Sequence, residues 1–229
     1  MPSFLAQAFC ETLWPTRCVL CDAAGALLCE SCLKKLRYVD FYQACPVCGA
    51  PWGRIQCDAC NAVARKHKPL AAPCASCLEY DADAAAIVKT YKDKGEQRLG
   101  PLMAAMMARV VRPSWVAWAQ AVTYVPATPD AVRRRGFDHA RILAEAFARE
   151  VGLPCIGLVE QAGAADQRAL GRKQRAANIA GRFHAPRAAG FGRVIAVDDV
   201  TTTGATLAGI QDALGRVQCD SRLVTFARV

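Results

Sequence analysis

The sequence contains few aromatic residues and no long uninterrupted apolar segment. Aromatic side chains make up 7% of the 229 residues. No stretch reaches the roughly 18–20 consecutive apolar residues that a membrane-spanning helix needs, and the apolar pattern over 101–111 ends at Arg109 and Arg112. The N-terminus lacks the basic region and the small-residue cleavage site of a secretory signal. We therefore expect no transmembrane segment and a cytoplasmic location.

Acidic residues are outnumbered, with 20 of them against 29 basic residues and a net charge of +9. The basic residues are clustered at 65–68, at 133–135 and over 168–175. Such clusters are typical of proteins that bind polyanions, either a diphosphate ligand or a nucleic-acid backbone. For the run at 65–68 alone, a solvated surface is the preferred interpretation. The repetition of basic loops favours a phosphate-bearing partner.

Thirteen cysteines are present, and eight of them form four Cys-x-x-Cys pairs within the first sixty residues. The pairs are Cys18/Cys21, Cys29/Cys32, Cys45/Cys48 and Cys57/Cys60. Because cytosolic disulfides are reduced, ordered pairs there favour metal binding. Pairing in chain order predicts two four-thiolate zinc sites, although a cross-braced pairing is also compatible with the spacing. Redox-active dithiols are the competing interpretation, but those occur singly beside a βαβ pattern.

The cysteine segment is too small to fold on its own hydrophobic core. About sixty residues with few large apolar side chains cannot offset the conformational entropy of folding, whereas metal binding supplies that free energy. Four thiolates leave no open coordination position, so both zinc sites are predicted to be structural. We expect an N-terminal helix and double zinc ribbon over 1–60, a linker over 61–72, and a second domain over 73–229. Cys74 and Cys77 fall on its first strand as packed thiols.

Residues 194–207 combine a strand, an acidic pair and a Thr/Gly-rich turn. Four apolar residues at 194–197 predict a buried parallel strand, and Asp198 and Asp199 follow. A helix is predicted from about Gly204 to Leu214. Glycine lets the backbone curve around an anion, while free N–H groups and threonine hydroxyls can bind a phosphate monoester. The carboxylates can accept hydrogen bonds from sugar hydroxyls or hold a hydrated Mg²⁺. No Walker Gly-Lys-Thr is present, so an ATPase has little support.

This order of residues resembles the phosphoribosyl-pyrophosphate (PRPP) signature of type I phosphoribosyltransferases. The resemblance implies an α/β fold with a mostly parallel sheet, and it implies that PRPP binds together with Mg²⁺. It assigns the ribose and the catalytic centre to Asp198 and Asp199. It assigns the 5′-phosphate to Val200, Thr201, Thr202, Thr203, Gly204, Ala205 and Thr206. The pyrophosphate loop falls at Val125 and Pro126, with Lys92 and Arg135 as candidate diphosphate contacts.

Three further segments and the Leu13-Trp14-Pro15 sequence resemble the ComF/GntX family of competence and DNA-utilisation proteins. They are Tyr-Lys-Asp-Lys-Gly at 91–95, Arg-Arg-Arg-Gly-Phe-Asp-His-Ala at 133–140, and Gln-Arg-Ala-Leu-Gly at 167–171. Asp138 departs from the pattern, because asparagine is commoner after Gly-Phe, and its carboxylate lacks the amide donor. Cys74 and Cys77 also lie outside the pattern.

The family resemblance implies a role in DNA uptake or utilisation, with single-stranded DNA and other competence proteins as partners. The candidate DNA contacts are Arg133, Arg134, Arg168, Arg172, Lys173 and Arg175. Because few aromatic residues are available for base stacking (Phe137, Tyr91 and Trp52), binding is predicted to be electrostatic and salt-dependent. Two alternatives stay open: an active phosphoribosyltransferase with an unidentified acceptor, and a non-catalytic PRPP sensor.

Overall fold

The structure is a computed structural model, and it describes 11–12, 15–40, 42–52, 54, 57–58, 60–61, 73–161, 182–188 and 190–229. Several predictions fall outside these residues. They are the N-terminal helix up to residue 10, the linker over 62–72, and the loop that carries Arg168, Arg172, Lys173 and Arg175.

The described chain alternates helices and strands. In order these are α1 (Glu30–Lys35), β1 (Cys74–Glu79), α2 (Ala82–Lys92), α3 (Leu99–Ala108), α4 (Pro113–Trp118), β2 (Ala121–Tyr124), α5 (Pro129–Arg135), α6 (His139–Val151), β3 (Glu160–Gln161), β4 (Phe183–His184), β5 (Arg193–Thr201), α7 (Ala205–Gly215) and β6 (Asp220–Arg228). Among the helices of the described part, none has the length and apolarity to cross a bilayer.

The central sheet has four strands in the order β1-β6-β5-β2. Every neighbouring pair in it is parallel, and a short antiparallel pair, β3 with β4, lies apart from it. This confirms the predicted mostly parallel α/β architecture. Because all four strands run the same way, their carboxyl ends meet at one side, which we call the carboxyl edge. It is formed by the ends of the strands at Glu79, Arg228, Thr201 and Tyr124.

Side-chain alternation along β5 divides the core into two layers. Ile195 and Val197 pack in a cluster with residues of α2, α3 and α6. Val194 and Ala196 point the other way and pack with α7. The sheet is therefore covered by helices on both faces, as parallel sheets require.

The acidic pair lies inside β5, whereas the sequence had predicted it just after the strand. The ladder with β6 continues past Val197, since Val200 pairs with Ala227 and Thr201 with Arg228. Successive side chains of a strand point to opposite faces. Asp199 therefore faces the layer of α2, α3 and α6, and Asp198 faces the layer of α7.

The cysteine segment covers the outer edge of β1. The N–H of Val39 donates to the carbonyl of Cys77 at 3.0 Å, and the N–H of Glu79 donates to the carbonyl of Arg37 at 2.9 Å. A third bond runs from the N–H of Cys74 to the carbonyl of Val47, at 3.3 Å. These bonds pair backbone groups that an exposed edge strand would leave open to other chains.

Candidate functional site

The cysteines form two compact clusters that follow the chain order. One contains Cys18, Cys21, Cys29 and Cys32, and the other contains Cys45, Cys48, Cys57 and Cys60. Within each cluster all four sulfur atoms lie within 4.8 Å of one another, so the cross-braced alternative is wrong. The Sγ atoms of Cys21 and Cys29 are 3.6 Å apart, as are those of Cys48 and Cys57. A zinc tetrahedron with Zn–S bonds of about 2.3 Å has edges of about 3.8 Å. Both donor sets therefore fit zinc.

The two clusters share an internal arrangement that favours a thiolate. The N–H of Cys29 donates to Sγ of Cys18 at 3.5 Å, and the N–H of Cys57 donates to Sγ of Cys45 at 3.4 Å. Burial opposes ionisation of Cys18, but backbone N–H groups, led by that of Cys29, lower its pKa to about 6. Cys45 follows the same pattern, and its pKa falls to about 7. The pKa values of Cys32 and Cys60 are raised by their cluster neighbours and by burial. Since the thiolate is the metal-binding form, a bound cation would be needed to hold all four sulfurs of a cluster ionised.

Cys74 and Cys77 belong to neither cluster. Both thiols are buried on β1, and burial raises the pKa of each to about 12. A buried, neutral thiol packs like a small apolar side chain. Their position on the first strand of the sheet agrees with the sequence prediction.

At the carboxyl edge, Asp199 is paired with a lysine from a distant helix. Lys92 is the last residue of α2, and its Nζ lies 2.7 Å from Oδ2 of Asp199. The ring Nε2 of His139, at the start of α6, lies 3.9 Å from the same oxygen. Because α2 begins just after β1 and ends against β5, it crosses the carboxyl edge and delivers Lys92 to the acidic pair.

Lys92 is the strongest of several groups that keep Asp199 ionised. Burial has the largest single influence and disfavours the charged carboxylate, but the Lys92 ammonium, together with His139 and the hydrogen bonds from Lys92 and Asp198, holds the pKa of Asp199 below its ordinary value. Burial also lowers the pKa of His139, so its ring is neutral near pH 7. His139 consequently adds little positive charge, and the Asp199–Lys92 pair is the main charged contact of this face.

Asp198 lies on the other face of the sheet, and its pKa is shifted in the opposite direction. It pairs in register with Thr225, whose hydroxyl shares a hydrogen bond of 2.8 Å with Ser76. Burial, reinforced by the charge of Asp199, raises the pKa of Asp198 well above its ordinary value. The two neighbouring carboxyl groups therefore have pKa values shifted in opposite directions.

The Thr/Gly turn after β5 leads directly into α7. Gly204 is the N-cap and has φ +77°, in the left-handed region that glycine adopts without strain. It provides no side-chain cap for the helix. Thr202 and Thr203 are exposed, and Thr206 is half-buried in the first turn. The N–H of Ala205 donates to Oγ1 of Thr203 at 3.3 Å. The turn therefore presents threonine hydroxyls beside the N-terminus of a helix, a combination suited to an anion.

A basic pocket of about 260 Å³ lies beside the acidic pair. It is lined by Lys92, Asp93, Lys94, Gly95, Arg134, Arg135 and Phe137. The guanidinium of Arg135 is fixed by Oδ1 of Asp93 and by Nδ1 of His139, each at 3.3 Å. Its buried Nε has no hydrogen-bond partner within the described residues. The pocket therefore combines several cations, and it brings together the predicted diphosphate residues Lys92 and Arg135.

The remaining predicted residues lie directly after β2 and on α5. Val125 donates its N–H to the carbonyl of Val197 at 3.1 Å, which fixes the start of the loop beside β5. The carbonyl of Pro126 accepts a hydrogen bond from Nε2 of Gln161 at 2.7 Å. Arg133 points to solvent and pairs with Asp130, whereas Arg134 lines the pocket.

Two of the aromatic residues considered for base stacking are unavailable. Tyr91 is fully buried and Phe137 is 9% exposed, and their rings pack edge to face with centroids 6.1 Å apart. The hydroxyl of Tyr91 donates to the carbonyl of His139 at 2.6 Å. These two rings therefore pack against each other and are not exposed for base stacking. Trp52 is 68% exposed.

Sequence reasoning missed His139 and Asp93, whereas the structure gives the Asp138 departure a local role. His139 and Asp93 were part of quoted segments, but no spacing rule indicates that they fix Arg135. Asp138 is the N-cap of α6, and its Oδ1 accepts hydrogen bonds from the N–H groups of Ala140 and Arg141 at 3.1 and 3.2 Å. Because the cap uses only an acceptor, the missing amide donor costs nothing at this position.

These features define an α/β protein with a charged site at the carboxyl edge of a parallel sheet, where ligands of such folds bind. Two solved structures with which it aligns are the allosteric regulatory enzyme of purine biosynthesis (20% identity, TM-score 0.38) and the glutamine PRPP amidotransferase of B. subtilis complexed with ADP and GMP (19% identity, TM-score 0.39). Each alignment covers 56% of this chain, which spans only 25% and 26% of theirs. Similarity this distant carries no functional weight. No protein-family model and no curated protein matches the chain.

Proposed function

We propose that the carboxyl edge binds PRPP together with Mg²⁺. One observation carries the proposal: Lys92 contacts Asp199 and also lines the basic pocket. A carboxylate suited to sugar hydroxyls therefore adjoins a set of cations suited to a diphosphate. The Thr/Gly turn follows on the same strand, so phosphate, sugar and diphosphate groups each have a matching neighbour.

Each part of the ligand is assigned to residues with the appropriate chemistry. The 5′-phosphate accepts hydrogen bonds from the turn over 202–206, which includes the start of α7. Val200 and Thr201 of the predicted phosphate set are the last two residues of β5. The ribose hydroxyls donate to Asp199, and Asp198 lies next to it on the strand. The diphosphate pairs with Lys92 and Arg135, and the loop at Val125 and Pro126 borders it. Mg²⁺, when bound, would neutralise diphosphate charge and could be held through water by Asp199, the carboxylate that faces Lys92.

Calorimetry tests the proposal on the zinc-loaded protein. PRPP with Mg²⁺ is expected to bind at one site per chain, and Asp199→Asn should weaken binding by about 30-fold, because charge-assisted hydrogen bonds to the sugar are removed. Asp212→Asn is the matched control, because it makes the same change at an exposed position of α7. Absence of PRPP binding to the wild-type protein would refute the proposal.

Product analysis then separates the possible uses of bound PRPP. An active transferase releases diphosphate when an acceptor is present, and that release should vanish in Asp199→Asn. A sensor binds PRPP without turnover. Screening nucleobases, amines and DNA as acceptors decides between the two, because only the transferase consumes PRPP.

For the cellular role, we propose single-stranded DNA binding in DNA uptake or utilisation, as the resemblance to the ComF/GntX family implies. The supporting observation is that Arg133 and Arg134 are exposed in the last turn of α5, next to the basic pocket. Fluorescence anisotropy at several salt concentrations tests it. Replacing both arginines with Gln should weaken binding and reduce the salt slope by about 0.7 for each DNA phosphate that is no longer neutralised. Absence of DNA binding at low salt would exclude this role.

A further inference from the structure

We propose that Lys92 makes the site selective for PRPP over ribose 5-phosphate, because its ammonium group blocks Asp199 until a diphosphate draws it away. The proposal rests on the proposed function and names the residue that sets its ligand preference. The position of Lys92 would therefore couple diphosphate binding in the basic pocket to sugar binding at Asp199.

The first observation is that both oxygens of Asp199 are already engaged. Oδ2 accepts from Nζ of Lys92 at 2.7 Å, and Oδ1 accepts from the N–H of Val200 at 2.9 Å. The residue is only 3% exposed. A sugar hydroxyl consequently has no open approach to this carboxylate while Lys92 remains in place.

The second observation is that the Lys92 side chain can adopt a second position, in the basic pocket. Its side chain is 27% exposed, and it lines the basic pocket together with Lys94, Arg134 and Arg135. Lysine carries its charge on a flexible four-carbon chain. The ammonium group can therefore turn from Asp199 into the pocket by side-chain rotation, with the helix backbone unchanged.

Arg135, the other predicted diphosphate contact, lacks this freedom. Its guanidinium is bound on one side by Asp93 and on the other by His139. It therefore offers a fixed cation, whereas Lys92 offers a movable one. Arg135 can therefore attract a diphosphate without moving, whereas Lys92 can change position when the diphosphate binds.

The consequence is coupling between the two ends of the ligand. For PRPP, the diphosphate replaces Asp199 as the partner of Lys92 and frees the carboxylate for the ribose. Ribose 5-phosphate has no diphosphate to pair with Lys92. Its binding to Asp199 therefore breaks the Lys92–Asp199 ion pair and leaves the ammonium group without a new anionic partner. A ligand shifts an arrangement only through interactions that differ between the two states.

Calorimetry with PRPP, ribose 5-phosphate and inorganic diphosphate tests this, each with Mg²⁺, on the wild-type protein and on Lys92→Met. The variant should bind ribose 5-phosphate about five- to tenfold more tightly than the wild type, and PRPP about tenfold more weakly. Lys94→Met is the control. Lys94 lines the same pocket, so its removal should weaken PRPP and diphosphate binding without strengthening ribose 5-phosphate binding.

The outcomes separate this inference from the proposed function. If the wild-type protein binds none of the three ligands, the proposed function fails. If it binds PRPP but Lys92→Met leaves ribose 5-phosphate binding unchanged or weaker, only the role of Lys92 is overturned. Should Lys92→Met fail to fold, Lys92→Gln keeps a donor beside Asp199 and gives the same test of sign with a smaller gain.

Discussion

The cysteine clusters and the carboxyl edge are assembled from the chain in different ways. The first cluster takes its four sulfurs from residues 18–32 and the second from 45–60, so each is a local structure. The carboxyl edge joins Lys92 to Asp199, which are 107 positions apart. The cysteine pairs of the clusters can thus be predicted from spacing, whereas the charge pairing of the edge exists only once the sheet has formed.

The largest expected effect comes from breaking a cysteine cluster. Cys18, Leu28 and Leu36 pack in the same cluster as the main core, whereas Cys45 belongs to a small separate one. Cys18→Ser should therefore lower the free energy of unfolding by more than about 4 kcal/mol, and Cys45→Ser by less. Urea unfolding measures the effect, and metal analysis should find two zinc ions in the wild type and one in each variant. An equal destabilisation of both variants would mean that the first cluster adds nothing to the core.

The next effect concerns the ion pair between Lys92 and Asp199. Asp199→Asn leaves the Lys92 ammonium without its partner, but Lys92 is partly exposed and can turn into the basic pocket, so the cost should be about 1–3 kcal/mol. The exposed Asp212→Asn is the control and should change the stability by less than about 0.5 kcal/mol. Urea unfolding at pH 7 provides the measurement. If the two variants were equally stable, the Lys92 pair would contribute nothing to the fold.

Asp198→Asn should stabilise the folded protein, whereas Asp199→Asn should destabilise it. Because burial raises the folded-state pKa of Asp198, its favourable contribution is complete below the unfolded pKa of about 3.9 and is lost as the pH rises towards the folded value. Asparagine does not titrate, so the variant should gain stability over the wild type by up to about 1.4 kcal/mol per pH unit in that window. Unfolding measured from pH 4 to 7 gives the slope. A constant difference would show that Asp198 is ionised in the folded protein.

The smallest expected effect concerns Asp138, the N-cap of α6. Asp138→Ala removes the N-cap acceptor and should cost about 1 kcal/mol, while Asp138→Asn keeps an acceptor and should stay within a few tenths. Thermal unfolding of both variants provides the comparison. If asparagine cost as much as alanine, the carboxylate charge would matter rather than its acceptor oxygen.

Features governed by neighbouring residues could be predicted from the sequence. The four-residue apolar run predicted β5, and Gly204 marked the start of α7, which runs from Ala205 to Gly215. The Cys-x-x-Cys spacing predicted the clusters, although it left their pairing open. In each case the physical cause lies within a short segment: a turn, a cap or a strand period.

Features that depend on the packed fold could not be predicted in the same way. The strand was expected to end before Asp198, but the continued ladder with β6 carries it to Thr201. That extension sends the two aspartates to opposite faces and gives them opposite pKa shifts. The apolar Val200 after the acidic pair was the available signal. Nothing local indicates that His139 faces Asp199, since their contact depends on how α6 packs on the sheet.

A crystal structure of the zinc-loaded protein with PRPP and Mg²⁺ tests PRPP binding at the carboxyl edge most directly. We expect the 5′-phosphate within hydrogen-bonding distance of the turn over 202–206 and the ribose hydroxyls on Asp199. Nζ of Lys92 should have moved from that carboxylate to the diphosphate. A PRPP molecule bound elsewhere, or an empty carboxyl edge at saturating PRPP, would contradict this assignment.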